Sequence, residues 1–313
     1  MLRGPGLRRH GRTRTLLAVA VGLMAATALG ASLAGCSATT VLNNLEPRFD
    51  VNHIRDLSYA PGPRHGVDVY APKTTGPHTP VVVFVYGGGW DSGAKAQYGF
   101  VGDALASHGY VTVIPDYRIY PEARYPDFIQ DTALAIRWAK DHAAEYGGDP
   151  DNLFLMGHSA GAYNVAMAAL DPRWLAAVGM DPHRDLRGVV GLAGPYDFLP
   201  LQSDELKTIF GVEGQAPPSQ PINHVDGRGP PMFLAHDLGD KVVYPRNTIN
   251  LAAKITAAGG PVETRYYKGL SHALMIGVFA APLRLLGPVY RDAAAFIDAH
   301  SIANPSASTP RTP

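Results

Sequence analysis

Runs of consecutive apolar, β-branched residues punctuate this chain, and stretches with helical spacing separate them. Residues 81–86, Val-Val-Val-Phe-Val-Tyr, are apolar throughout, which is the pattern of a strand buried on both faces. That run ends in Gly87-Gly88-Gly89-Trp90. Helix-like residues continue to about His108, and a second buried run occupies 111–114. Residues 126–146 carry helical spacing through Phe128, Ala133, Ile136 and Trp138. Further strands are predicted at 153–156, 188–192, 232–235 and 262–267, and further helices at 160–170, near 247–258 and at 288–300. The last of these opens on Pro288, which a first helical turn tolerates. Two shorter strands, 54–60 and 66–70, flank the turn Pro61-Gly62-Pro63, and a polar loop covers 72–80. Strands alternating with helices specify the α/β class, with a mostly parallel central sheet and helices on both faces. Residues 196–228 are richer in Pro, Gln and Asn and show no period, as expected of a small cap or a plain loop.

One junction organises the rest. The apolar run 153–156 leads directly into Gly157-His158-Ser159-Ala160-Gly161, and a small-residue helix leads directly out. A strand that turns at once into a helix strains the corner residue. Glycines on both sides keep other atoms away and leave the serine hydroxyl exposed at the C-terminal end of the sheet.

A serine hydroxyl is a poor nucleophile at neutral pH, so it needs a base, and the base needs an orienting acid. Position chooses among the 12 histidines. His272 follows the 262–267 strand, and Asp240 lies just past the 232–235 strand, with Asp237 as the rival acid. Ser159, Asp240 and His272 thus all fall at C-terminal ends of parallel strands, where such sheets place their sites. Their chain order, serine then acid then histidine, is that of the nucleophile-elbow hydrolases. Backbone N–H groups must also meet the oxyanion that forms during acyl transfer. Gly88, Gly89 and Ala160 are the expected donors. The glycine run lacks the lysine and spacing of a phosphate-binding loop.

Charge changes the picture at the N-terminus. The 27 basic and 27 acidic residues balance, but Arg3, Arg8, Arg9, Arg12 and Arg14 all precede the first acid, Glu46; without those five, 22 basic residues face 27 acidic ones. No basic patch with interleaved aromatics occurs, which argues against a nucleic-acid partner. Residues 15–35 carry no charge, so a basic segment followed by an apolar one reads as an export signal. The run is also long enough to act as an uncleaved membrane anchor. Leu33-Ala34-Gly35-Cys36 resembles the lipobox of bacterial lipoproteins, in which the cysteine is lipidated and becomes the new N-terminus. Cys36 is the chain's single cysteine, so the remainder holds neither a disulfide nor a thiolate metal site. The expected organisation is an export signal over 1–36, a tether over 37–50, one catalytic domain over 51–300 and a disordered tail over 301–313. The catalytic domain would lie outside the cytoplasm on a lipid anchor at Cys36.

Several motifs together resemble one family. Tyr86-Gly87-Gly88-Gly89-Trp90, Asp116-Tyr117-Arg118 with Pro121-Glu122, the elbow at Ser159, the loop from His236 to Val243 and Ser271-His272 follow one another as in α/β-hydrolases of the carboxylesterase group related to hormone-sensitive lipase. Tyr146-Gly147-Gly148-Asp149-Pro150 through the elbow is similar to prenylcysteine methylesterases. The resemblance covers roughly residues 54 to 300. It implies the α/β-hydrolase fold with a small cap or none, a small-molecule ester substrate and no cofactor. Tyr86 departs from the family, which usually carries histidine there. Cholinesterase-like esterases also carry Tyr-Gly-Gly-Gly, and in prolyl-oligopeptidase-like hydrolases a nearby tyrosine hydroxyl faces the oxyanion. Two other functions remain open at this level: an amidase, peptidase or formamidase of the same fold, and a non-catalytic surface lipoprotein.

Overall fold

The apolar runs become the strands of a single eight-stranded sheet, ordered β1-β2-β4-β3-β5-β6-β7-β8. The computed structural model describes residues 38–47 and 50–302, and the leader with Cys36 and residues 303–313 lie outside them. The strands are β1 (Val51–Ser58), β2 (Gly66–Pro72), β3 (Val81–Val85), β4 (Val111–Pro115), β5 (Leu153–His158), β6 (Gly188–Leu192), β7 (Met232–Asp237) and β8 (Val262–Tyr267). β1 and β2 pair antiparallel, as do β2 and β4, and every other pairing is parallel. β3, β4, β5 and β6 are buried along their whole length, as continuous apolar runs require. β8 alternates between partial burial and exposure because it forms the sheet's edge.

The helices are α1 (Ala38–Leu45), α2 (Gly99–His108), α3 (Asp127–His142), α4 (Ala160–Leu170), α5 (Pro172–Ala176), α6 (Pro182–Asp185), α7 (Asp204–Phe210), α8 (Arg246–Ala257), α9 (Leu274–Gly277) and α10 (Val289–His300). They pack on both faces of the sheet. On one face Tyr290 of α10 donates to the Ala104 carbonyl of α2 at 3.2 Å. On the other, Asn164 of α4 donates to Thr132 of α3 at 3.3 Å. The helical spacing over 126–146 resolves into α3 and a separate 3₁₀ turn, Ala143–Tyr146.

The chain runs outward from β3 in both directions, first to β4 and then back to β5. The loops leaving β3 and β5 therefore diverge at adjacent strand ends, the switch point where open α/β sheets bind ligands. They carry the glycine run and Ser159.

One segment decides between two expected forms, and one differs from its expected form. The stretch 196–228 holds α7 and three 3₁₀ turns, Glu213–Gln215, Pro217–Ser219 and Pro221–His224. It seats Phe198 and Phe210 against Trp90, with ring centroids 6.3 and 4.9 Å away, so it forms a small cap over the end of the glycine run. The stretch 37–50, read as a tether, contains α1, which is docked onto the domain. Asn43 accepts from the Phe100 N–H at 2.8 Å and donates to the Ala96 carbonyl at 2.8 Å, capping α2. Glu46 is buried against the Ala281 N–H and the Arg284 guanidinium.

Candidate active site

Ser159 sits at φ 53°, ψ −124°, in the left-handed half of backbone space that a serine rarely enters. The strain is held in place by close packing. A Cβ on Gly161 would lie 2.0 Å from the Val85 carbonyl oxygen, and one on Gly157 would lie 2.4 Å from that of Gly161. Only glycine fits at either position, so α4 can start directly against the end of β3. The serine N–H donates to the Leu192 carbonyl of β6 at 2.9 Å, which fixes the elbow to its neighbouring strand.

The loops after β7 and β8 bring the other groups to the serine. His272 Nε2 lies 2.8 Å from Ser159 Oγ, and His272 Nδ1 lies 2.7 Å from Asp240 Oδ2. A carboxylate only accepts, so Nδ1 carries the ring proton and Nε2 is left to accept from the serine hydroxyl. Asp240 Oδ1 accepts from the N–H groups of Val242 and Val243 at 2.8 and 3.1 Å. Burial raises the Asp240 pKa, but the bond and charge of His272 and those two N–H groups outweigh it and hold the group below its ordinary value. The carboxylate therefore stays ionised beside the histidine.

The rival acid has a different task. Asp237 is the last residue of β7; its Oδ2 accepts from the Leu270 N–H at 2.9 Å and its Oδ1 from the Gly239 N–H at 2.9 Å. It ties the acid loop to the loop that carries His272 without touching the histidine ring.

Two histidines that sequence reasoning left without a role support the same arrangement. His236 is fully buried behind Asp240 and donates from Nε2 to the Val243 carbonyl at 2.9 Å, while Nδ1 lies 2.8 Å from the Thr248 hydroxyl. His158 precedes the serine, and its Nε2 donates to the His272 carbonyl at 3.0 Å. Burial, reinforced by the nearby His272 ring, pushes the His158 pKa down to about 3, so the ring stays neutral. Both lie in motifs that the sequence shows, the elbow and the acid loop, but the carbonyls and hydroxyl that give them a task are brought near only by folding.

The glycine run borders the serine. Gly87, Gly88 and Gly89 line the same cleft of about 330 Å³ as Ser159 and His272. Gly88 has φ 131°, and a Cβ there would lie 2.3 Å from the Ser92 carbonyl oxygen. Among the described residues, the Gly88 and Gly89 N–H groups have no acceptor. Ala160 follows the serine as the first residue of α4, beside the same cleft. A second cleft of about 340 Å³ between α3 and α5, lined by Leu134 and Trp174, contains none of these groups.

Tyr86 lies beneath the glycine loop. Its ring stacks between Tyr98 and Tyr117, at 5.3 and 4.8 Å. Its hydroxyl donates to Asp116 Oδ1 at 2.7 Å and accepts from Arg64 Nη2 at 3.0 Å. The Asp116-Tyr117-Arg118 motif completes this support: Tyr117 donates to the Tyr86 carbonyl at 3.0 Å, and Arg118 pairs with the buried Asp131 at 2.8 Å.

Fold and site together define an α/β-hydrolase, with a serine elbow, a histidine and a carboxylate at the C-terminal edge of a mostly parallel sheet. Residues 67–255 match the model of the BD-FAE family, and the chain belongs to that family. Among curated proteins, it is 30% identical over 240 residues to the probable isoprenylcysteine alpha-carbonyl methylesterase ICMEL1 of Arabidopsis thaliana, covering 70% of this chain and 50% of that one. It is 31% identical over 210 residues to the esterase LipC of Mycobacterium tuberculosis, covering 61% and 52% respectively. The chain spans about half the length of the curated relatives it matches. In fold it is similar to esterase B from Lactobacillus rhamnosis, with a TM-score of 0.72 at 20% identity over 89% of this chain and 95% of that one. The family resemblance read from the motifs therefore holds.

Proposed function

We propose that this protein is a serine carboxylic-ester hydrolase held on a bacterial cell membrane through a lipidated Cys36, with its catalytic domain outside the cytoplasm. The observation that carries the catalytic reading is the hydrogen-bonded series Ser159–His272–Asp240 at a strained elbow. Ser159 Oγ attacks the ester carbonyl carbon while its proton passes to His272 Nε2. The carbonyl π pair moves onto oxygen, and the Gly88, Gly89 and Ala160 N–H groups meet that oxyanion. Collapse of the intermediate breaks the bond to the alcohol oxygen, which leaves with the proton from His272. Water, deprotonated by the same histidine, then releases the acid and restores the serine. Asp240 keeps His272 in the productive tautomer and stabilises its positive form. The anchoring reading rests on the lipobox-like Leu33-Ala34-Gly35-Cys36 at the end of an uncharged run. Relatives named as esterases support the choice of ester over amide.

A panel of esters and matched amides of graded acyl length tests the bond and the chain-length preference together. Esters are expected to turn over at least about 10²-fold faster than their amides, a difference of roughly 2.7 kcal/mol in activation free energy. Equal or faster amide cleavage would assign the site to an amidase.

A further inference from the structure

The cleft at Ser159 is walled in part by α1, the helix that begins two residues after Cys36. Thr39 and Leu42 line it together with the glycine run, Tyr98, Val242 and Ile276. From this placement we infer that the active-site mouth faces the lipid bilayer and that the substrates are amphiphilic esters residing in that bilayer. The inference rests on the ester-hydrolase and anchoring readings above and names the substrate class of that site.

Geometry leaves little freedom. Three residues of fully extended chain span at most about 11 Å, so Thr39 at the cleft wall stays within that distance of Cys36. The helix that carries Thr39 is not free to swing away. Asn43 caps α2, and Glu46 bonds to Arg284 in the stretch Ala281–Leu286. A membrane attachment at Cys36 would therefore hold the bilayer within about 11 Å of chain from the cleft wall.

Several large apolar side chains around this point meet solvent. Val242, on the acid loop at the cleft, is 71% exposed. Leu45 stands exposed one helical turn beyond Leu42 on the same side of α1. Next to Arg284, which pairs with Glu46, Leu285 is 87% exposed and Leu286 is also exposed. Apolar side chains on loops and a short helix, beside a lipid-proximal chain segment, fit insertion among acyl chains. An ester whose acyl chain lies in the bilayer then has the shortest route to Ser159 past Leu42 and Val242.

The test uses the full chain reconstituted in phosphatidylcholine–phosphatidylglycerol vesicles. Two substrates are compared: p-nitrophenyl decanoate held in the vesicles and p-nitrophenyl acetate in solution. A flexible Gly/Ser insertion of roughly 20 residues between Ser37 and Ala38 lets the domain drift about 25 Å from its anchor while leaving α1 docked. Leu285→Asp charges the apolar rim at a residue outside the cleft. Each change is expected to lower decanoate turnover by at least about tenfold and to leave acetate turnover within about twofold. Decanoate turnover unaffected by both changes would overturn the inference while leaving the esterase reading intact. So would a dimer in detergent solution that Leu285→Asp dissociates, since the apolar face would then belong to a second copy. Failure of the unmodified protein to hydrolyse either ester would overturn the esterase reading and the inference with it.

Discussion

His158 donates a hydrogen bond from Nε2 to the backbone carbonyl of His272, at 3.0 Å, and the two rings lie 4.8 Å apart. The residue before Ser159 thus grips the residue whose ring hydrogen-bonds to the Ser159 hydroxyl. A carbonyl only accepts, so the bond requires a proton on Nε2, and with the ring held neutral Nδ1 is bare. The elbow therefore sets two things at once, the position of the serine and the position of the loop that carries its partner.

That arrangement makes stability depend on pH. An ordinary histidine titrates near 6.5, and His158 in the folded protein near 3. Between those values the unfolded chain binds a proton that the folded chain does not. Stability is therefore lost as pH falls from 6.5 toward 3, and above 6.5 this group adds no slope. His158→Gln keeps an N–H donor for the His272 carbonyl and removes the titration. Denaturant unfolding between about pH 4 and 6 should show a slope smaller by about 1.4 kcal/mol per pH unit than in the unmodified protein. His236, also held down by burial, retains its own contribution. An unchanged slope would mean that His158 is protonated in the folded state.

The two aspartates on the acid loop separate by what they touch. Asp240→Asn replaces the acceptor for His272 Nδ1–H and should lower kcat by about 10⁴-fold, because the ring loses its enforced tautomer. Asp237→Asn weakens the backbone bonds from Leu270 and Gly239 and should cost about 1–3 kcal/mol of stability with far less effect on kcat. Steady-state kinetics beside thermal melts distinguish them, and the reverse ranking would reassign the acid.

Tyr86→Phe removes only an oxygen. That oxygen is engaged by Asp116 and Arg64, which are left short of a partner in a part-buried site. The expected cost is about 1–3 kcal/mol of stability, with kcat within about threefold of the unmodified protein. A normally folded variant with kcat down by about 10²-fold or more would instead make the hydroxyl an oxyanion donor.

The main features of the fold were legible because its central parallel strands are buried on both faces and stand out as unbroken apolar runs. Ser159 and Asp240 could be nominated because each follows such a run, and His272 because it follows the mixed edge strand β8; position at a strand end carries information that residue type alone does not. The choice between Asp240 and Asp237 needed the loop conformation, since both lie at the end of β7 only three residues apart. α1 was read as tether for a physical reason. Eight residues including Thr39, Thr40, Asn43 and Asn44 do not form a helix by propensity, and this one is held by contacts from Phe100, Ala96 and Arg284. The supporting roles of His158 and His236 likewise depend on carbonyls and hydroxyls brought near by folding.

The most direct measurement is of the nucleophile itself. An alkyl fluorophosphonate, which modifies only an activated serine, should label the protein once, and peptide mapping should place the label on Ser159. Ser159→Ala, which leaves the fold in place, should take up no label and lose ester turnover by about 10⁴-fold or more. Label on another residue, or turnover in the folded Ser159→Ala protein within about tenfold of the unmodified protein, would contradict the assignment of Ser159 as nucleophile.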